Sequence, residues 1–160
     1  MHLVAHYHAA KLNVSKARSR AGAHIFFSND EPKPLYNIPI LTIAQIIKFV
    51  MYSAAEAELA AIFITAKDMA PLRQTIIEMK WPQGQYPIQT GNSTAVGVTN
   101  NSIFPTRTKY MDMRFHLLCW RMVQGQLILY SALFTKNLGY YSTKHHPTLY
   151  HLAHQTTHAG

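Results

Sequence analysis

The chain has 160 residues, 48% of them apolar, so it is long enough to bury the core of one domain. Its 15 Lys and Arg against 7 Asp and Glu give a net charge of +8, which suits an anionic partner such as nucleic acid, a lipid surface or an acidic protein. This composition excludes disordered and collagen-like chains, and the single Cys119 excludes an internal disulfide and a multi-cysteine zinc site.

The acidic residues are confined to the middle of the sequence. None precedes Asp30 and none follows Asp112, so a mechanism built on clustered carboxylates has few groups to use. The opening residues MHLVAHYH are too short and too broken by histidine for a secretory signal, and no apolar stretch reaches the roughly 18 residues of a membrane-spanning helix. We therefore expect an intracellular protein.

The first fifty residues alternate between apolar segments and polar connections. A basic connection, Lys11–Arg20, ends in a turn at Ala21 and Gly22, and a proline-containing loop covers Asn29–Asn37. The apolar segments predict three strands, His2–His8, His24–Ser28 and Ile38–Val50. Short connections between them favour a hairpin-like arrangement.

The segment Ser53–Met79 carries the clearest helical pattern. Ser53 is a favourable N-cap, and Glu56 three residues later completes a capping box. Apolar residues then recur at helical spacing as far as Ala70. Pro71 removes a backbone donor, so we expect it to bend or split this helix.

The second half alternates strands and helices. In chain order the pattern predicts strand Tyr86–Thr90, short helix Asn92–Asn100, basic loop Ile103–Lys109, helix Tyr110–Val123, strand Gln126–Ser131, and a short helix or turn at Asn137–Lys144. Together these elements predict an α/β domain over residues 1–144, with a mixed five-stranded sheet and helices on both faces. Residues 145–160 form a histidine-rich tail that we expect to be irregular.

Four ordered motifs resemble the ribonuclease H domain of Ty1/copia-type retrotransposon polyproteins. The resemblance extends over nearly the whole chain, and its motifs are SAAEAEL (Ser53–Leu59), QTGNSTA (Gln89–Ala95), RTKYMDMRFH (Arg107–His116) and NLGYYSTKHH (Asn137–His146). The segment KARSRAG also resembles the first hairpin of that family. The resemblance implies a ribonuclease H-like fold and, in active members, four carboxylates that hold two divalent metal ions about 4 Å apart.

Carried onto this sequence, the four family positions are His8, Glu58, Gly91 and Tyr140. Only Glu58 is acidic, and the other three side chains cannot supply the anionic oxygen ligands that Mg²⁺ prefers. The resemblance therefore implies a degenerate copy, a pseudoenzyme without a metal cofactor.

Simpler interpretations stand beside each functional one. Glu56 and Glu58 also fit helix-start carboxylates favoured by the helix dipole, and His8 also fits a structural or exposed side chain. Asp112 and His116, spaced i and i+4, fit either a ligand pair or a stabilising helix pair.

Three basic residues are candidates for nucleic-acid contacts, because the family acts on RNA–DNA hybrids. They are Arg107, Lys109 and Arg114. A solvated basic surface explains them equally well.

Four apolar or aromatic residues near the former metal pocket are candidates for protein contacts. Leu133 and Phe134 replace a turn that is usually polar in the family, and Tyr140 and Tyr141 add aromatic surface. Ordinary sequence drift, with the aromatic rings filling a void, is the alternative.

The leading hypothesis is a catalytically inactive ribonuclease H-like domain that acts as a binding or structural subunit of a larger assembly. Its expected partners are protein subunits, with nucleic acid as a further possibility. The alternatives are a weak nuclease that uses Mg²⁺ with Glu58, His8 and Asp112, and a nonspecific nucleic-acid-binding protein that does not cleave.

Overall fold

The structure, a computed structural model, describes residues 1–29, 38–51, 53–91, 109–131 and 137–152, and for 109–112 it describes the backbone alone. Several predictions fall outside these residues. They are most of the loop Asn29–Asn37, the short helix Asn92–Asn100, nearly all of the basic loop Ile103–Lys109, and the contact candidates Arg107, Leu133 and Phe134.

A five-stranded mixed sheet forms the centre of the described part of the chain, as predicted. Its strands lie in the order β3-β2-β1-β4-β5, with antiparallel β1–β2 and β2–β3 pairs and parallel β1–β4 and β4–β5 pairs. The strands are β1 (His2–Val14), β2 (Arg18–Ser28), β3 (Leu41–Ile46), β4 (Tyr86–Thr90) and β5 (Leu127–Ser131). The helices are α1 (Ala54–Glu78), α2 (Lys109–Val123) and a 3₁₀ helix (Leu138–Thr143).

The first hairpin is longer than the sequence predicts. β1 continues to Val14 and β2 begins at Arg18, so Lys11–Arg20 is mostly strand and the turn lies at residues 15–17, not at Ala21 and Gly22. The sequence pattern did not indicate strand in this extension, because exposed basic residues interrupt it. A two-stranded ribbon that projects from the core needs no continuous apolar face. The third strand, in contrast, is confined to six residues of the predicted Ile38–Val50.

Side chains of β1 alternate between two covered faces of the sheet. One face carries Leu3, Ala5, Tyr7 and Ala9, which join the core formed with α1. The 3₁₀ helix covers the other face and packs on β1 and β2. Helices on both faces were predicted, and the structure confirms this arrangement.

Helix α1 begins as predicted but is not split. The Ser53 hydroxyl accepts a hydrogen bond from the Glu56 N–H at 3.1 Å, and the helix then runs unbroken through Pro71 to Glu78. Lys67 and Pro71 are both exposed, so water can solvate the carbonyl that lacks its N–H partner. Packing of both halves of α1 on the core offsets the remaining cost. Of the two outcomes expected at Pro71, a bend or a split, the split does not occur.

The chain after the 3₁₀ helix is more regular than expected. Residues 148–152 form a helical turn, so the prediction of an irregular tail is wrong for this part. None of the described helices is long and apolar enough to cross a membrane.

Candidate functional site at the carboxyl end of β1

Three of the four family positions meet at one end of the sheet. His8 on β1 lies beside Glu58 in the first turns of α1 and beside Tyr140 in the 3₁₀ helix. The parallel β1–β4 register pairs Ala5 with Ile88, and its continuation sets Gly91 level with His8. We refer to the surroundings of His8, Glu58 and Tyr140 as the His8 pocket.

Glu58 is buried, and its carboxylate is only partly satisfied. Oε1 accepts the Ala9 backbone N–H at 3.3 Å and lies 3.5 Å from His8 Nδ1. Oε2 is buried and has no hydrogen-bond partner among the described residues. Burial raises the pKa of Glu58 to about 7, against the smaller lowering effect of the Ala9 hydrogen bond. Near neutral pH this carboxyl group is therefore a mixture of neutral and ionised forms.

His8 is held in its neutral form. Burial, and secondly the positive charge of Lys144, lower its pKa to about 4. Its ring lies 5.2 Å from the ring of Tyr140, with an angle of 52° between the two planes. An imidazole here is one wall of an aromatic pocket and contributes no negative charge.

Tyr140 and Lys144 form the outer side of the pocket. The Lys144 ammonium donates a hydrogen bond to the Tyr140 hydroxyl at 2.7 Å and lies 4.2 Å from the centre of its ring. Lys144 is exposed, and Tyr140 is half-buried. The outer side of the His8 pocket thus carries a cation and a phenol where the family places a carboxylate.

A polar network fixes the 3₁₀ helix against β1. The Asn137 amide donates to the Tyr7 carbonyl at 2.8 Å, and its oxygen accepts the Gly139 N–H at 2.9 Å. The Leu138 N–H donates to His6 Nδ1 at 3.4 Å, and burial with His24 nearby lowers the pKa of His6 to about 4. Burial of this network ties the position of Tyr140 to the backbone of β1.

Glycine is required where the 3₁₀ helix meets the sheet. A Cβ atom on Gly139 would lie 2.7 Å from the His6 carbonyl oxygen and 2.7 Å from Tyr7 Cα. A Cβ on Gly22 would lie 2.9 Å from the Gly139 carbonyl oxygen. Backbone atoms cannot yield to such contacts, so only glycine permits this close approach.

An aromatic cluster beyond the pocket was missed by sequence reasoning. The His146 ring stacks on Tyr141 at 5.2 Å and 8°, and on Tyr150 at 4.3 Å and 14°. His151 bonds the Tyr141 hydroxyl. The Tyr and His spacing in residues 140–151 was a possible signal, but it becomes informative only once the turn at 148–152 brings these rings together.

The other candidate residues of the sequence analysis either lie outside the His8 pocket or have side chains that the structure does not describe. The Arg114 guanidinium lies over the rings of Phe63, at 4.9 Å, and Phe49, at 5.8 Å, so it packs between helix α2 and neighbouring elements. Side chains of Lys109 and Asp112 are outside the description, and His116 is exposed. Their proposed roles stay predictions.

The donors of the His8 pocket do not fit a pair of divalent metal ions. Hard cations such as Mg²⁺ need several oxygen ligands, whereas the pocket offers one buried carboxyl group, an imidazole and a phenol bound to an ammonium group. Among the described residues, no three His, Cys, Asp or Glu side chains are grouped closely enough to hold a metal.

Comparison with known proteins supports the fold and shows a similarity in sequence to a retrotransposon polyprotein. Over 69 residues the sequence is 33% identical to the Retrovirus-related Pol polyprotein from transposon TNT 1-94 of Nicotiana tabacum, a match that covers 43% of this chain and 5% of that polyprotein. No protein-family model matches the sequence.

Three solved structures share the fold at low sequence identity. LC11-RNase H1, isolated from compost by a metagenomic approach, has a TM-score of 0.62 at 10% identity, with 89% of this chain and 92% of that chain covered. The N-terminal RNase H domain of a Mycobacterium tuberculosis protein has a TM-score of 0.56 at 11% identity, with 84% of each chain covered. The RNase H domain of prototype foamy virus has a TM-score of 0.51 at 12% identity, with 88% of this chain and 90% of that chain covered.

The fold and the polyprotein match agree with the motif resemblance. The chain has a ribonuclease H-like fold, and part of its sequence is similar to a retrotransposon polyprotein of which it spans only a small share.

Proposed function

We propose that this chain is a catalytically inactive ribonuclease H-like domain that binds its partner without cleaving it. The observation that carries the proposal is the donor set of the His8 pocket, where His8 and Tyr140 flank a single buried carboxyl group. Two-metal hydrolysis needs enough negative charge to hold two divalent ions close together. One carboxyl group with a pKa of about 7 supplies at most one charge.

Nucleic acid is the partner class that the charge favours. The chain carries a net charge of +8, and LC11-RNase H1, which shares its fold, has been solved in complex with an RNA/DNA hybrid. Basic surfaces bind nucleic-acid backbones through phosphate contacts that release counterions. Such binding requires no catalytic metal.

A cleavage assay tests the loss of activity. An RNA–DNA hybrid is incubated with the native chain and with Glu58→Gln, in Mg²⁺ and in Mn²⁺. We expect no metal-dependent cleavage by either protein. Cleavage by the native chain that Glu58→Gln abolishes would establish the weak-nuclease alternative instead.

A role as a protein subunit is the second candidate, and one surface favours it. A groove of about 340 Å³ at the opposite end of the sheet is lined by apolar side chains that include Leu3, Phe27 and Ile76, with Met79 and Trp81 exposed at its edge. Exposed apolar grooves commonly bind other proteins. In a native assembly, a cysteine cross-linker attached to a Trp81→Cys variant should capture the neighbouring subunit. The same cross-linker on a Lys48→Cys variant is the control, because Lys48 is exposed and lies away from the groove.

A further inference from the structure

We propose that the outer face of helix α2 is a docking surface for an acidic amphipathic helix of another protein. Four apolar side chains form this face, and we refer to them as the α2 stripe: Met113, Leu117, Trp120 and Val123. The inference goes beyond the proposed function, because it concerns neither the His8 pocket nor the groove beside Trp81.

Helix α2 is apolar on two sides, although only one side packs on the domain. Phe115 and Leu118 are buried in the core, and Cys119 and Met122 pack against it. A helix on the surface of a soluble domain usually carries polar residues on the side that faces away from the core. Apolar residues on both sides of α2 therefore indicate a second surface that this helix contacts.

The α2 stripe runs along the helix as one line of side chains. Met113, Leu117 and Trp120 are spaced i, i+4 and i+7, so they lie above one another on the same face. Their exposed fractions are 76%, 38% and 53%, and Val123, one turn after Trp120, is 84% exposed. Anchors at this spacing are those by which amphipathic helices dock, and tryptophan is enriched among the residues that dominate binding.

Two arginines border the α2 stripe on one side. Arg114 and Arg121 are seven residues apart, so they lie on the same flank of the helix, and both are half-buried. The Arg114 guanidinium packs over the ring of Phe63 at 4.9 Å. No Asp or Glu follows Asp112 in the sequence, so residues 113–123 contain no carboxylate of their own. Glutamates beside the apolar residues of a docked helix would complement this flank.

A second copy of this chain fits the α2 stripe less well. An antiparallel pair of α2 helices would place four arginines side by side, and a parallel pair would place them opposite the exposed His116. Stable dimers bury about 800 Å² on each partner. Four side chains on a helix of roughly 22 Å provide less than that, so their burial does not offset the repulsion. The occupant that complements the stripe is therefore an acidic helix.

Binding of designed peptides tests the proposal. A labelled three-heptad peptide with leucines along one face and glutamates on both flanks is titrated at several salt concentrations, and a matched peptide has lysines in place of the glutamates. Both are titrated with the native chain, Leu117→Gln, Trp120→Gln and Arg121→Gln. The matched controls are Met79→Gln and Lys80→Gln, because both residues are exposed and lie just after α1. Circular dichroism and thermal melting establish that each variant is folded.

We expect the native chain to bind the acidic peptide and not the lysine peptide. Leu117→Gln and Trp120→Gln should bind the acidic peptide several-fold more weakly. Arg121→Gln should also bind it more weakly and with a smaller dependence on salt, because one pair of opposite charges is lost. Both control variants should bind like the native chain.

The fluorescence of Trp120 gives a second readout. The chain contains two tryptophans, so Trp81→Phe leaves Trp120 as the sole indole. The acidic peptide should shift the emission of Trp120 to shorter wavelength as the side chain leaves water. An unchanged spectrum with the peptide bound would mean that the peptide docks elsewhere, and would overturn the proposal.

Three results of the titrations would also overturn it: no binding of the acidic peptide at millimolar concentration, equal binding of both peptides, or equal losses for Trp120→Gln and Met79→Gln. A dimer of the native chain that Trp120→Gln abolishes would replace the acidic helix with a second copy. Binding of an RNA–DNA hybrid that Trp120→Gln weakens would replace it with nucleic acid. Metal-dependent cleavage would overturn the proposed function alone and leave the docking surface intact.

Discussion

The two ends of the central sheet have opposite characters. At the carboxyl end of β1, buried polar groups such as His6, Glu58 and Asn137 pack beneath exposed cations. At the other end, Leu3 and Phe27 line a groove without charged side chains. The polar end brings together three of the positions given by the motif resemblance, and Glu58 is the one carboxyl group among them. Its buried ionisable groups make the stability of the fold depend on pH, whereas the groove at the apolar end has no such groups.

The largest expected effect is loss of stability in mild acid, caused by His6 and His8. Both have a pKa lowered from 6.5 to about 4, so between these values the unfolded chain binds protons that the folded chain does not. Their contribution to stability is complete above pH 6.5, falls progressively as the pH drops from 6.5 to 4, and is fully lost below 4. Each costs about 2 kcal/mol between pH 7 and pH 5.

Glu58 offsets part of that loss, so the histidine effect is measured most clearly in Glu58→Gln. Urea unfolding of this variant should show about 4 kcal/mol less stability at pH 5 than at pH 7. If the free energy of unfolding of Glu58→Gln were the same at pH 5 and pH 7, the fold would not lower the pKa of these two histidines.

Gly139→Ala should cost about 3 kcal/mol, because its Cβ would strike the backbone of His6 and Tyr7. The matched control is Gly84→Ala, where a Cβ meets nothing within 4 Å. Urea unfolding of both variants separates steric displacement of the 3₁₀ helix from a general effect of losing glycine. Equal stability of the two variants would contradict the close approach of the 3₁₀ helix to β1.

Glu58→Gln should stabilise the folded chain at pH 8 by about 2 kcal/mol. The pKa of Glu58 is raised from 4.5 to about 7, so the native chain loses stability as the pH rises through this range and stays destabilised above it. The amide can still accept the Ala9 N–H without a buried charge. Unfolding at pH 4 should show little difference between native and variant, and a variant that is less stable at pH 8 would contradict this account.

The smallest effect concerns the hairpin turn. Lys16 and Ala17 have φ values of 61° and 53°, in the left-handed region that favours glycine. Ala17→Gly should therefore raise the free energy of unfolding by up to about 1 kcal/mol. Ala23→Gly, in the buried centre of β2, is the control that should be destabilising. A loss of stability in Ala17→Gly would indicate a different turn conformation.

Much of the fold was predictable, because helix caps and strand alternation are determined by residues close together in the sequence. The Ser53 cap and the alternation at the start of β1 are properties of a few consecutive side chains, and both are confirmed. The continuity of α1 through Pro71 was not predictable, because it depends on which side of the helix faces solvent. The hairpin extension escaped prediction because Lys11, Asn13 and the two arginines of β2 interrupt its small apolar residues.

The candidate site was predictable only in part. His8, Glu58 and Tyr140, three positions given by the motif resemblance, are neighbours in the structure, although no short pattern links them in sequence. The bond between Lys144 and Tyr140 was not predicted, because it needs the geometry of the 3₁₀ helix. The link from Asn13 to Thr143 joins residues 130 positions apart and has no signal in the sequence.

The most direct test of the central claim is a calorimetric titration with Mn²⁺. The native chain is compared with a variant in which His8, Gly91 and Tyr140 are all replaced by Asp. We predict no Mn²⁺ binding that depends on Glu58 in the native chain, and metal binding only in the variant with restored carboxylates. Two Mn²⁺ ions bound by the native chain and lost in Glu58→Gln would contradict the account.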